Sequence, residues 1–268
     1  MPKQSRSWRF LFSSILLLTL TCSYSAWAED WSGTIAAVVQ NNTLFSIERS
    51  GVLYTTNLTT GRWSALGKPE YRNTRLLFAG PQNLYTIEQD GSFYRVDPAN
   101  GSWVRVGQAG AWKGTLAGAF VAGRLFTVEA DGRMYATSPV NGAWVQVGKA
   151  EFANTYRLFS SDDMLFSIEK DGSLYRIDPS SGAWRRLGKA GEWNNTIARA
   201  TLNGRIYTVE TSGRLYETDP NSGAWRQIGK PEFAKTKFLV AARDALYTIE
   251  NDGLYRVDPA SGAWVKIG

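Results

Sequence analysis

Apolar and polar positions alternate along this chain in short bursts, and the bursts return on a fixed beat. Apolar runs such as Leu44-Phe45-Ser46-Ile47 and Leu246-Tyr247-Thr248-Ile249 each end on a carboxylate, giving Glu48, Glu88, Glu129, Glu169, Glu210 and Glu250. Within the copy that starts at Thr155, residues 156–160, 164–169, 173–177 and 183–187 read as four strands. Ser161-Asp162-Asp163, Lys170-Asp171-Gly172 and Asp178-Pro179-Ser180-Ser181-Gly182 punctuate them as turns. Short runs of aromatic and β-branched residues bounded by Asp-Gly and Asp-Pro turns predict antiparallel hairpins. No segment sustains the 3.6-residue period of a helix.

The same unit recurs six times. Its Gly-x-Trp ending places Trp63, Trp103, Trp144, Trp184, Trp225 and Trp264 at steps of 40, 41, 40, 41 and 39. A unit of this size cannot bury its own apolar face and must stack on its neighbours. Four strands per unit and six units predict an all-β fold, a six-bladed β-propeller of short antiparallel strands with about 40 residues per blade. The blades are expected near 31–70, 71–111, 112–151, 152–192, 193–232 and 233–268. Six whole units without a leftover cap favour a closed ring over an open stack.

Beneath the sixfold beat lies a threefold one. Trp31, Trp112 and Trp193 open the odd units, and Tyr71, Phe152 and Phe233 open the even ones, each set at a step of 81. The even aromatics follow near-identical linkers that carry Lys68 and Glu70, Lys149 and Glu151, and Lys230 and Glu232. Such a pattern is either duplication alone or a set of loop pockets. An exposed ring beside Lys and Glu would suit a sugar, whose C–H face stacks while its hydroxyls take directed hydrogen bonds. These twelve residues are the candidate ligand-binding set. The Gly-x-Trp tryptophans and the tyrosines Tyr54, Tyr94, Tyr135, Tyr175, Tyr216 and Tyr255, present in every unit, are expected to fill the space between blades.

The six repeated glutamates have two open readings, as acceptors that hold the hairpins or as a ring of carboxylates at one end. Asp97, Asp178, Asp219 and Asp258 are read as turn formers. The first strand of each unit varies most, so Arg157 and Arg199 could contact an individual ligand if that strand lines the channel.

The N-terminal 1–28 reads as a secretory signal peptide: Lys3, Arg6 and Arg9, an apolar stretch over 10–20, and Ala26-Trp27-Ala28 before Glu29. Thr19-Leu20-Thr21 before Cys22 fits a lipoprotein signal poorly. The apolar stretch is too short to span a bilayer. Cleavage would remove the single cysteine from a chain without histidine. Disulfides, thiolate or histidine catalysis and ordinary zinc sites are then out of reach, and no cofactor or metal is expected. Thirty basic residues less those three leave 27 against 24 acidic ones, too small and too scattered a surplus for nucleic acid. Catalysis is not expected, because six equal copies do not supply one asymmetric constellation.

The unit Leu-Phe/Tyr-Thr-Ile-Glu-x-Asp-Gly-x-Leu-Tyr-Arg-x-Asp-Pro-x-Ser-Gly-Ala-Trp-x-x-Ile-Gly resembles the tectonin and tachylectin type of propeller repeat from Trp31 to Gly268. That resemblance implies a secreted, multivalent, sugar-binding propeller. This chain departs from tachylectin in having six units rather than five. The alternative is an exported scaffold that binds a cell-surface or periplasmic protein through one face. Either way, the chain is expected to be exported, monomeric and not membrane-spanning.

Overall fold

The computed structural model describes residues 30–268; the signal-peptide segment lies outside the described residues. Six sheets form, each of four antiparallel strands in chain order. The fold is the six-bladed propeller that the repeat arithmetic predicts. In blade four the strands are Thr155–Ser161, Met164–Glu169, Leu174–Ile177 and Trp184–Leu187. These lie within one residue of the expected ranges.

Turn chemistry fixes each hairpin. The Asp171 carboxylate accepts the Ser173 N–H at 2.8 Å, and Gly172 takes φ +75°. A Cβ at Gly172 would lie 2.4 Å from the Asn194 backbone nitrogen of the next blade, so only glycine fits. In the longer turn Asp178 accepts the Ser180 N–H at 2.7 Å, and the Gly182 N–H returns to the Asp178 carbonyl at 2.8 Å. Asp97, Asp219 and Asp258 repeat that turn. These bonds hold the Asp178 and Asp258 carboxyls below their usual range and Asp219 down at about 2.

The first strands, Thr34–Gln40, Thr74–Ala79, Thr115–Val121, Thr155–Ser161, Thr196–Leu202 and Phe238–Ala242, stand around the central channel. The fourth strands form the outer edge and are the most exposed. Apolar packing is divided among six clusters, one in each seam between neighbouring blades.

No blade mixes strands from the two ends of the described chain; each is built from consecutive strands. The ring closes side by side between blades six and one. Trp31 and Leu44 of blade one share a cluster with Val240 and Tyr247 of blade six. Lys237 donates to the Trp31 and Ser32 carbonyls at 3.0 and 2.9 Å, and the Arg243 N–H donates to the Asn42 side chain at 3.0 Å.

Candidate functional site

The two sets of aromatics exchange the places the sequence suggests. The six blade-opening aromatics, expected as exposed platforms, are all buried. Each occupies one seam: Tyr71 between blades one and two, Trp112 between two and three, Phe152 between three and four, Trp193 between four and five, Phe233 between five and six, and Trp31 between six and one. The reason is local. The ring folds back under the end of the preceding blade, where two glycines meet without side chains. Cβ atoms on Gly107 and Gly142 would lie 2.7 and 3.2 Å from Trp112 Cη2. Tyr71 anchors its hydroxyl as well, donating to the Gly101 carbonyl at 2.5 Å, and burial drives its pKa well up.

The Gly-x-Trp tryptophans, expected between blades, instead stand half in solvent on the outer strands, Trp144 at 53% exposure. Each packs edge-on against the tyrosine of the neighbouring strand in its own blade; Tyr135 and Trp144 have centroids 4.7 Å apart at 72°, Tyr94 and Trp103 4.9 Å at 81°. Trp63 of blade one keeps its tyrosine, Tyr54 at 4.8 Å, and also turns inward onto Trp31 with centroids 4.5 Å apart.

Beside the tryptophan–tyrosine pair lies a pocket. In blade three Trp144, Tyr135, Glu129, Thr127 and Thr137 line a cavity of ≈ 340 Å³. Blade two repeats it with Trp103, Tyr94, Glu88 and Thr86 at ≈ 380 Å³. Blade five has the same elements with Glu192 also on the wall, and the space there is ≈ 20 Å³. The carboxylate is one of the six repeated glutamates. It does not hold turn amides; it accepts the threonine hydroxyl that opens the first strand, at 2.7 Å from Thr115 to Glu129 and 2.9 Å from Thr74 to Glu88. Blades one and four keep the bond, from Thr34 to Glu48 and Thr155 to Glu169. A register shift in the first hairpin brings the two side chains together. Burial raises the pKa of Glu48, Glu88, Glu129, Glu169 and Glu250, and the hydroxyl bonds oppose that rise in the first four. Thr86 and Thr127 face Glu88 and Glu129 and add to the hydroxyls opposing that rise, while the Thr137 hydroxyl has no hydrogen-bond partner among the described residues.

The threefold pattern has a structural content of its own. In the even blades the linker glutamate reaches the outer tryptophan: the indole N–H donates to Glu70 from Trp103 at 2.9 Å, to Glu151 from Trp184 at 2.9 Å, and to Glu232 from Trp264 at 3.0 Å. Trp144 and Trp225 of the odd blades have no such partner among the described residues. Lys68, Lys149 and Lys230 are exposed and bond to nothing through their side chains among the described residues. The structure therefore brings Glu70 to a pocket with Tyr71 beneath it, and leaves Lys68 outside. A second even-blade device sits at the channel end. Arg75 donates to the Thr115 and Trp112 carbonyls at 2.6 and 2.9 Å, as Lys237 does to Trp31 and Ser32, so the cations of blades two and six grip the opening of the next odd blade, while blade four has Tyr156 at that place.

The exposed tryptophans are what sequence reasoning missed. Strand order held the signal: a fourth strand is the outer edge of a blade, and residues such as Trp184-Arg185-Arg186 alternate for a surface. Among the described residues no group of His, Cys, Asp or Glu is arranged to hold a metal ion, and no helix is long and apolar enough to cross a membrane.

Comparison with solved structures finds the same architecture at low identity, which speaks for fold alone. A structural genomics protein of unknown function from Bacteroides thetaiotaomicron aligns with a TM-score of 0.62 at 13% identity, over 84% of this chain and 69% of that one. PorZ, a bacterial surface component of the type-IX secretion system of Porphyromonas gingivalis, gives 0.55 at 14%, over 88% of this chain and 38% of its own. The extracellular domain of a putative one-component system from B. thetaiotaomicron gives 0.57 at 12%, over 88% and 36%. This chain thus spans little more than a third of the latter two. No curated protein matches it in sequence. The likeness to tectonin and tachylectin repeats rests on the blade motif alone. A family model does match, over residues 89–223, half of the chain, from the second hairpin of blade two into blade five. By that match the chain belongs to the β-propeller repeat family described as outer membrane protein assembly factor BamB.

Proposed function

We propose that this protein is an exported, multivalent binding propeller whose rim pockets take glycans. The observation that carries the reading is the blade-three pocket: a half-exposed Trp144 indole beside a partly buried Glu129 carboxylate, with Tyr135 and two threonines completing the walls. A ring face for the apolar side of a pyranose and a carboxylate for its hydroxyls are the two elements a neutral sugar needs. Repetition around a rigid ring supports avidity, in which weak sites gain strength by engaging one surface together. Blades two and three offer the roomiest copies, and the closed pocket of blade five is a silent one. The role is binding without catalysis, and the ring acts as a monomer. The test is a broad glycan array probed with the purified protein lacking residues 1–28. Binding to a defined sugar class supports the reading; silence across the panel overturns it.

Family membership favours a second reading, a scaffold that docks an envelope protein through one face, as the BamB description suggests for that family. It predicts a defined partner whose capture is unchanged by free sugars.

A further inference from the structure

The channel holds charge that no carboxylate among the described residues answers. Its wall is apolar or small over most of its length, with Ala37, Leu77, Ala119 and Ala241 facing a space of ≈ 600 Å³. Three arginines interrupt it: Arg75 at the channel end, bonded to the Thr115 and Trp112 carbonyls, and Arg157 and Arg199 on the inner strands of blades four and five. The latter two cross the seam in opposite directions: Arg157 Nη2 donates to the Ile197 carbonyl at 3.0 Å, and Arg199 Nη2 donates to the Leu158 carbonyl at 2.8 Å. Each guanidinium also lies over a ring, Arg157 over Tyr156 at 4.5 Å and Arg199 over Phe159 at 5.0 Å.

Carbonyls and ring faces satisfy donors without cancelling charge. Among the described residues no Asp or Glu lines the channel, and the buried Nε atoms of Arg157 and Arg199 have no hydrogen-bond partner. A buried donor without an acceptor costs on the order of 1–3 kcal/mol, more when it is charged. Two such donors on facing strands call for one acceptor that carries negative charge. Burial, and then the neighbouring Arg157, pull the Arg199 pKa down to about 9. Guanidinium forks match oxyanions in a planar, directed way that a lysine could not.

We infer that the central channel is an anion site, in which Arg157 and Arg199 together hold the carboxylate or phosphate group of a small molecule at the seam of blades four and five. The site is separate from the rim pockets, takes a different chemistry, and is single where they are repeated.

Isothermal titration at constant ionic strength, with inorganic phosphate and with citrate, tests the assignment and tells the two oxyanions apart. The expected result is saturable one-to-one binding of at least one of them by the wild type. Arg157→Gln and Arg199→Gln should each weaken it by about tenfold or more, the loss of a charge-assisted contact. Arg199→Lys, which keeps the charge, should fall between. No saturable binding of either anion by the wild type overturns the proposal, as does unaltered binding in the glutamine variants. Should a variant fail to fold, the arginine Nε–H signals of the wild type give the answer: both should move on adding the anion, and stationary signals refute the site. Glycan binding at the rim should be the same in folded channel variants, so the two readings stand or fall separately.

Discussion

Trp103 and Glu70 meet at 2.9 Å, indole N–H to carboxylate, across the start and the end of blade two. The contact joins the linker that enters the blade to the strand that leaves it. Trp184 with Glu151 and Trp264 with Glu232 repeat it, and Trp144 and Trp225 of blades three and five lack it among the described residues. Both partners are exposed, so the energy is modest, under about 1 kcal/mol as for other surface charge contacts. Its effect is on orientation: in even blades the indole N–H is already committed, and in blades three and five it remains open to a ligand. Glu70→Ala should shift the Trp103 indole N–H resonance and leave Trp144 and Trp225 in place, with the melting temperature almost unchanged. A large loss of stability would contradict the assignment.

The exchange of roles between the two tryptophan sets has a direct thermodynamic consequence. Trp112, at 3% exposure, fills the seam against Gly107 and Gly142. Trp112→Ala should cost about 3–5 kcal/mol, since removing a buried aromatic adds a cavity to the lost transfer energy. Trp144→Ala, on the outer strand, should cost about 1 kcal/mol or less. Urea denaturation of the two variants measures the contrast, and equal losses would refute it.

A propeller that closes without exchanging a strand depends on its last seam. Blades six and one are held by the Trp31 cluster and by Lys237 bonded to two carbonyls. Lys237→Ala should therefore raise amide hydrogen exchange in residues 34–40 and 238–242 well before the other inner strands respond. A uniform rise around the ring would show that this seam is no weaker than the rest.

Glu129 predicts a pH dependence with a definite sign. Burial raises its pKa in the folded protein above the ordinary glutamate value, so the native state holds the proton more tightly than the unfolded chain. Its contribution is full below the unfolded pKa and is lost as pH rises through the folded one. Glu129→Gln, which keeps an acceptor for Thr115, should gain stability relative to wild type between pH 4 and pH 7. Melting curves at the two pH values test this, and a relative loss over the same window would reverse the sign. The turn aspartates act oppositely and lower down: the Asp219 carboxyl, at about 2, contributes stability above its unfolded pKa that is lost as pH falls through its folded one.

The fold was legible because each turn names itself. Asp171-Gly172 and Asp178-Pro179 fix hairpins locally, and the step between tryptophans counts the blades. Burial was less legible, because it depends on which blade a side chain leans against. Trp112 and Trp144 are the same residue type at equally regular positions; only the glycines of neighbouring blades, brought together by the ring, decide that one is covered. The Glu129–Thr115 bond was hidden for a related reason, since a register shift within the first hairpin sets it. The linker lysines, paired with glutamates in sequence, separate from them in space once Glu70, Glu151 and Glu232 turn toward indoles. The threefold pattern has a structural counterpart in the Glu–Trp contacts of the even blades.

On the proposed function the outer tryptophans supply the exposed ring of each rim pocket, and the buried blade-opening aromatics only complete its wall. The most direct measurement follows the indole N–H resonances while a glycan selected on the array is added. The proposed function predicts concentration-dependent shifts at Trp144 and Trp103, a smaller one at Trp112, which lines the blade-three pocket beside Trp144, and none at Trp31. Shifts confined to Trp31, Trp112 and Trp193, or binding that leaves Trp144 and Trp103 unmoved, would contradict it.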